Sequence, residues 1–181
     1  LLRRIEKAMV ALEDALPDAT VTFVQAISGE IVVRRRLSAD NVGVMQKPTG
    51  FALSLYASAS GLAILAFCND DCHLTLQQRH PFLEEGAYLW SPPEKLDAYL
   101  EQVQAQGYAM HPCANDKRLA LACPVWDDER LCAGVMGIAR TAARGQSFTD
   151  AVMAETVEKL KQITALANRV EIDRIDANNG E

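Results

Sequence analysis

The sequence predicts an α+β domain: an antiparallel sheet with helices on its faces. Three observations lead there. The element order is helix, strands, helices, strands, helix, not the strict alternation that builds a parallel sheet. Two pairs of β-type segments are joined by short polar turns, at Ser28-Gly29-Glu30 and Asp127-Asp128-Glu129, which makes the pairing antiparallel. The chain of 181 residues, 49% hydrophobic, is long enough for one compact core.

The elements follow in order. Leu2, Ile5, Met9, Leu12 and Leu16 recur at alternating steps of three and four, an apolar seam on a helix that Pro17 ends. Such a seam packs on its own domain or pairs with a second subunit, and periodicity alone leaves both open. Residues 19–27 and 31–37 read as a hairpin. Residues 38–50, broken by Gly43, Pro48 and Gly50, read as an irregular crossing, and 51–56 as a strand. Residues 58–68, rich in Ala and Leu, form a helix, a short helix follows Asp70, and 80–90 is loop or short strand. Ser91-Pro92-Pro93-Glu94 reads as a helix start with Ser91 capping. Leu96, Tyr99, Leu100 and Val103 form that helix's buried stripe, and Gly107 ends it. Residues 108–112, 119–126 and 131–139 are strands. A last helix runs from about Thr149 to Val170, with Met153, Val157, Leu160 and Ile163 inward, and a disordered tail closes the chain.

Composition excludes several roles. The net charge of -6 argues against a surface that grips nucleic acid by its phosphates. No apolar run is long enough to cross a bilayer and no signal-peptide pattern opens the chain. The odd count of five cysteines follows no disulfide framework and fits reduced thiols in a cytosol. The chain opens inside a helical pattern without Met, as expected of a piece of a longer protein.

The sequence carries little recognisable catalytic chemistry. No phosphate-binding loop, dinucleotide fingerprint, nucleophile elbow or zinc-protease motif appears. Cys68, Cys72 and His73 are metal-ligand types, but a second ligand cluster is missing, so neither a metal nor another cofactor is expected. Cys113, two residues from His111, is the one candidate for a thiol paired with a base, weighed against an ordinary exposed or buried Cys. Arg34-Arg35-Arg36 reads as a solvated strand edge that discourages aggregation, with an anion contact as the alternative. Since strand residues alternate, Arg35 faces away from its neighbours. What stands out instead are the small residues of 50–67 (GFALSLYASASGLAILAF) and of the hairpin after Gln106. Small residues facing a helix start make a cavity, and a cavity without a catalytic set points to a sensor rather than an enzyme.

Three segments carry a family likeness. They are the helix entry at 57–67 (ASASGLAILAF), the helix-to-strand passage at 100–109 (LEQVQAQGYA) and the strand at 121–127 (LACPVWD). In their order and spacing they resemble the C-terminal effector-binding domain of IclR-family transcription regulators, over about residues 1–170. The resemblance implies a GAF-like fold and an effector-binding domain at 17–172, preceded at 1–16 by the remainder of an interdomain linker helix and followed at 173–181 by the tail. It also implies a missing N-terminal winged helix that binds DNA, a homodimer or homotetramer, a cytoplasmic location, and a small-molecule effector that alters promoter activity.

The family's pocket positions fall on Ala59 and Ser60 at the helix entry, His111 after Gly-Tyr, Ala120 on the alanine-rich strand, and Gly137 and Ala139 on the last strand. Members that bind keto acids carry polar groups where this chain has His111, Ala120, Gly137 and Ala139. The pocket implied here is therefore wider and more apolar, suited to an aromatic carboxylic acid. Its carboxylate would lie at the Ser60 end, on helix-start amides, and its ring against Gly137 and Ala139. His111 would meet a ring hydroxyl or add positive charge. The competing expectation is that Met110 or Met136 fills the space. The chain also has Ser54 and Tyr56 where many relatives have Pro and His. Two rivals remain: a GAF-like thiol enzyme of the small-molecule sulfoxide reductase type, and a dimerisation module without ligand.

Overall fold

Two hairpins supply the sheet. The structure, a computed structural model, describes residues 1–168. Strands β1 (Ala19–Ile27) and β2 (Glu30–Ser38) turn through Ser28 and Gly29, both at positive φ, the conformation a two-residue hairpin turn demands. Strands β3 (Asn41–Gln46) and β4 (Ala52–Leu53) both pair with β2, one at each end. Later in the chain β5 (Ala109–Met110), β6 (Arg118–Trp126) and β7 (Cys132–Thr141) complete a seven-stranded sheet of order β3-β2-β1-β7-β6-β5, all its pairings antiparallel. The helices are α1 (Leu2–Ala15), α2 (Ala59–Phe67), α3 (Asp70–Arg79), α4 (Phe82–Glu85), α5 (Ala87–Trp90), α6 (Glu94–Gln106) and α7 (Asp150–Asn168).

Alternation divides each strand between two cores. Val21 and Phe23 of β1, Leu119, Leu121 and Cys123 of β6, and Met136 and Ile138 of β7 meet α1 and α7 on one face. Here Ile5, Met9 and Leu12 are at most 1% exposed, so the seam of α1 from Ile5 onward is spent inside its own chain, while Leu2 stays exposed. On the other face, Val24, Ile31, Val33 and Val135 meet α2. Helix α2 is buried on every side, because α6 covers it from above through Leu96 and Val103. Burial all round explains why its sequence shows no amphipathic period.

Several expectations change. The irregular crossing at 38–50 contains β3, which folds back on β2 with Ser38 opposite Asn41. The strand at 51–56 shortens to β4, and that at 108–112 to β5. Residues 80–90 hold the short helices α4 and α5 rather than loop or strand. Ser91 does not cap α6; it ends α5, and Pro93 stands at the helix start without a capping side chain. Gly107, at φ +80, does end α6 in the left-handed region. The expected tail at 173–181 lies outside the described residues.

One irregularity positions the site. Along β1 and β2, Phe23 pairs with Arg35 and Val24 with Val33, so Arg34 is an extra, unpaired residue, a β-bulge. After the bulge Arg35 lies opposite Phe23, toward α1, and Arg36 lies opposite Thr22, toward α2.

Candidate functional site

The face toward α2 is filled at one end and hollow at the other. Two cross-strand rows form the hollow floor. In one, Arg36, Thr22 and Gly137 stand side by side across β2, β1 and β7, and Ala122 of β6 ends the row inside the packed core. In the other, Thr20, Ala139 and Ala120 are followed by His111, whose N–H donates to the Ala120 carbonyl. Side chains this small leave a cavity of about 460 Å³, with Val33, Phe51, Leu53 and Ser58 also on its wall. That volume lies in the range typical of small-molecule sites.

The roof is the start of α2, and its local sequence fixes it tightly. Ser58 caps the helix: its Oγ accepts from the Gly61 N–H at 2.9 Å and donates to the Ser54 carbonyl at 2.6 Å. Ser54 Oγ in turn accepts from the Ala57 N–H at 3.1 Å. A Cβ on Gly61 would stand 2.5 Å from the Ser54 carbonyl oxygen, so only glycine lets the helix sit down on this loop. The first intrahelical bond runs from Leu62 N–H to the Ser58 carbonyl. The amides of Ala59 and Ser60 therefore belong to the orphan donors of the first turn. Floor and roof touch at Gly137, where a Cβ would lie 2.7 Å from Thr22 Oγ1 and 3.0 Å from Ser60 Oγ.

The positions read from the sequence, Ala59, Ser60, His111, Ala120, Gly137 and Ala139, all line this one cavity. Met136 does not fill it: the side chain is fully buried on the opposite face, and Met110 packs against that same opposite core. Tyr56 turns away into the core, donating its hydroxyl to the His80 carbonyl at 2.9 Å. A second hollow, of about 430 Å³, adjoins the first across His111, Ala120 and Ala139 and runs out over Cys113 and Arg118.

His111 is a defined donor. Its Nδ1 accepts the Cys113 backbone N–H at 2.9 Å, which leaves the ring proton on Nε2. Burial holds its pKa below the usual histidine range, so the ring is neutral at pH 7. Of the two roles expected of it, the geometry favours hydrogen bonding over positive charge. Its Nδ1 is occupied by the amide of Cys113, not by the thiol, so no activated thiol is built there.

Sequence reasoning missed Thr20, Thr22, Phe51 and above all Arg36. The arginine run divides three ways. Arg34 is exposed at the bulge, Arg35 Nε pairs with Glu6 at 2.7 Å, and Arg36 lines the cavity. Only Arg34 keeps to a solvated edge, and the bulge that turns Arg36 toward the cavity leaves no mark in the residue pattern.

Three of the remaining thiols, Cys68, Cys72 and Cys132, lie close together where the start of β7 meets α2 and α3, while Cys123 is buried on the opposite face. The Cys68 thiol hydrogen-bonds Cys72, which draws Cys72 down to about 7 and pushes Cys68 up. Burial pushes Cys132 to about 11. Among the described residues, no group of three His, Cys, Asp or Glu side chains is arranged to hold a metal. Among them too, no helix is long and apolar enough to cross a membrane.

Comparison with known proteins places this architecture. The family model described as bacterial transcriptional regulator IclR C-terminal matches residues 1–167. The fold is similar to that of Pseudomonas aeruginosa HmgR, at 21% identity and a TM-score of 0.68, over 92% of this chain and 66% of that one. It is similar to the Thermotoga maritima IclR at 20% identity and 0.68, over 92% and 68%. The C-terminal domain of the E. coli transcriptional regulator KdgR matches at 20% and 0.67, over 93% of this chain and 98% of that domain. The chain thus spans about two thirds of the length of HmgR. No curated protein matches the sequence.

Proposed function

The chain belongs to the bacterial transcriptional regulator IclR C-terminal family, and we propose that it senses a small, aromatic carboxylic acid in the cavity between α2 and the sheet. Occupancy changes promoter activity through a DNA-binding part of the same regulator, working in the cytoplasm as a homodimer or homotetramer. The acidic balance of this chain agrees with a division of labour in which it does not itself grip DNA.

One observation carries the reading. The family-matched positions of α2, β6 and β7 converge on a single cavity whose floor is Thr, Ala and Gly and whose roof is a helix start. The helix start offers amides and the Ser60 hydroxyl to a carboxylate. The Ala120 and Ala139 stretch offers an apolar seat for a ring, and the Nε2–H of His111 offers a bond to a ring substituent.

A thermal-shift screen with benzoate, phenylacetate and their hydroxylated forms tests the proposal. A ligand that binds only the folded chain raises the melting temperature with concentration. A panel without any such rise overturns it.

A further inference from the structure

The rest of the cavity asks for a ligand, but Arg36 asks for a charge. It stands at the β2 end of the floor beside Thr22, turned there by the bulge at Arg34. Its backbone pairs with Thr22 and Gln46, but among the described residues neither a hydrogen bond nor an ion pair engages its side chain. Its neighbour Arg35 shows what the fold does with an arginine that serves structure: it is ion-paired to Glu6 across the sheet edge. A guanidinium is weakly hydrated for a cation and carries five donors in a planar fork, so a half-buried one beside an apolar wall is well suited to take up a carboxylate. Here the wall around it is Val33, Phe51 and Leu53.

We propose that Arg36 selects a ligand bearing one carboxylate, its guanidinium gripping that group at the β2 end while the Nε2–H of His111 meets an uncharged polar group at the other. The inference rests on the cavity's being the effector site and adds which side chain reads the ligand's charge and which way the ligand lies. Arg36 and His111 lie on either side of β1, β7 and β6, so roughly 19 Å of floor separates their backbones at the usual strand spacing. The two side chains, set at opposite ends, leave a seat of about one-ring length over Ala120 and Ala139. Thr22 stands next to Arg36 on the same row, and Ser60 hangs above Gly137, so hydroxyls flank the place where the carboxylate sits. A planar guanidinium binds a carboxylate in a two-point fork, which a lysine at the same place does not reproduce.

Calorimetry on the full chain with 4-hydroxyphenylacetate, benzoate and the matching neutral amides tests this. The acids should bind about tenfold or more tightly than the amides. Arg36→Gln should erase that preference by weakening the acids alone, Arg36→Lys should restore part of it, and Arg34→Gln should leave it intact. The unliganded Arg36→Gln variant should melt close to the wild type, since among the described residues no hydrogen bond or ion pair depends on the side chain. Acid preference that survives Arg36→Gln overturns the assignment, as do amides that bind the wild type as tightly as acids. If neither acids nor amides bind the wild type, the cavity reading itself falls and takes this one with it.

Discussion

On the face of the sheet that meets α1 and α7, the inward side chains are Val21, Phe23, Leu119, Leu121, Met136 and Ile138. One residue along the same strands, facing α2, they are Thr20, Thr22, Ala120, Ala122, Gly137 and Ala139. The backbone is shared, so only side-chain volume separates a solid core from a cavity. A close-packed interior tolerates no gap, so the solid face sets stability. The hollow face is free to vary with the ligand.

That contrast can be broken at its strongest point first. Phe23→Ala, in the solid face, should cost about 3–5 kcal/mol in urea denaturation, and a loss below about 1 kcal/mol would mean that face is less closely packed than described. Ile5→Glu or Met9→Glu goes further, burying a charge where exposure is at most 1%, and circular dichroism should report an unfolded chain. These positions therefore test folding before they can test subunit pairing.

The hollow face sharpens the contrast. Ala139→Leu should change stability by no more than about 0.5 kcal/mol, because Ala139 is exposed to the cavity. It should weaken the best aromatic acid about tenfold or more in calorimetry. Gly137→Ala is the exception within that face. Its Cβ would press on Thr22 Oγ1 at 2.7 Å, so a destabilisation of about 1–3 kcal/mol should accompany the loss of binding. An unchanged melting temperature for Gly137→Ala would show that floor and roof part more easily than the geometry says.

Two titrations give smaller effects. Burial lowers the folded-state pKa of His111, so the unfolded chain holds more protons as pH falls below about 6.5. His111 therefore favours folding fully above that value and less on acidification, as Nδ1 takes a proton and loses the Cys113 amide. Melting temperatures between pH 7.5 and 5 should fall more steeply for the wild type than for His111→Gln; parallel slopes would remove His111 from the account. Among the thiols, Cys72, drawn down to about 7, should react with iodoacetamide at pH 7.5 well before Cys123, which burial on the solid face pushes to about 12. Peptide mapping of the alkylated protein reads the order directly.

How much of this was legible in the sequence follows from which interactions are local. The seam of α1, the first hairpin and α7 announce themselves through periodicity and turn residues, and the cavity positions through their smallness beside a helix start. Residues 80–90 give no period because α4 and α5 are too short to show one. Strand β3 was hidden by Gly43, at φ +75, which reads as a breaker yet lies within the strand. Its amide donates to the buried Glu13 of α1, a bond between residues distant in the chain. Arg36 escaped for the deepest reason: its facing depends on a pairing register between two strands, and register is not written in either strand alone.

The bulge at Arg34 has an evolutionary corollary. Val33 faces α2 before it and Arg36 does so after it, three residues later, because one residue is absorbed. A β2 shortened by any one of its three arginines has the same sequence whichever codon is lost. It would run as a regular strand with Val33 and the last arginine still on the α2 side. Lineages can therefore lose a residue here while keeping a cation over the cavity. Gap placement in this strand is then decided by which face a residue occupies, not by which letter it matches.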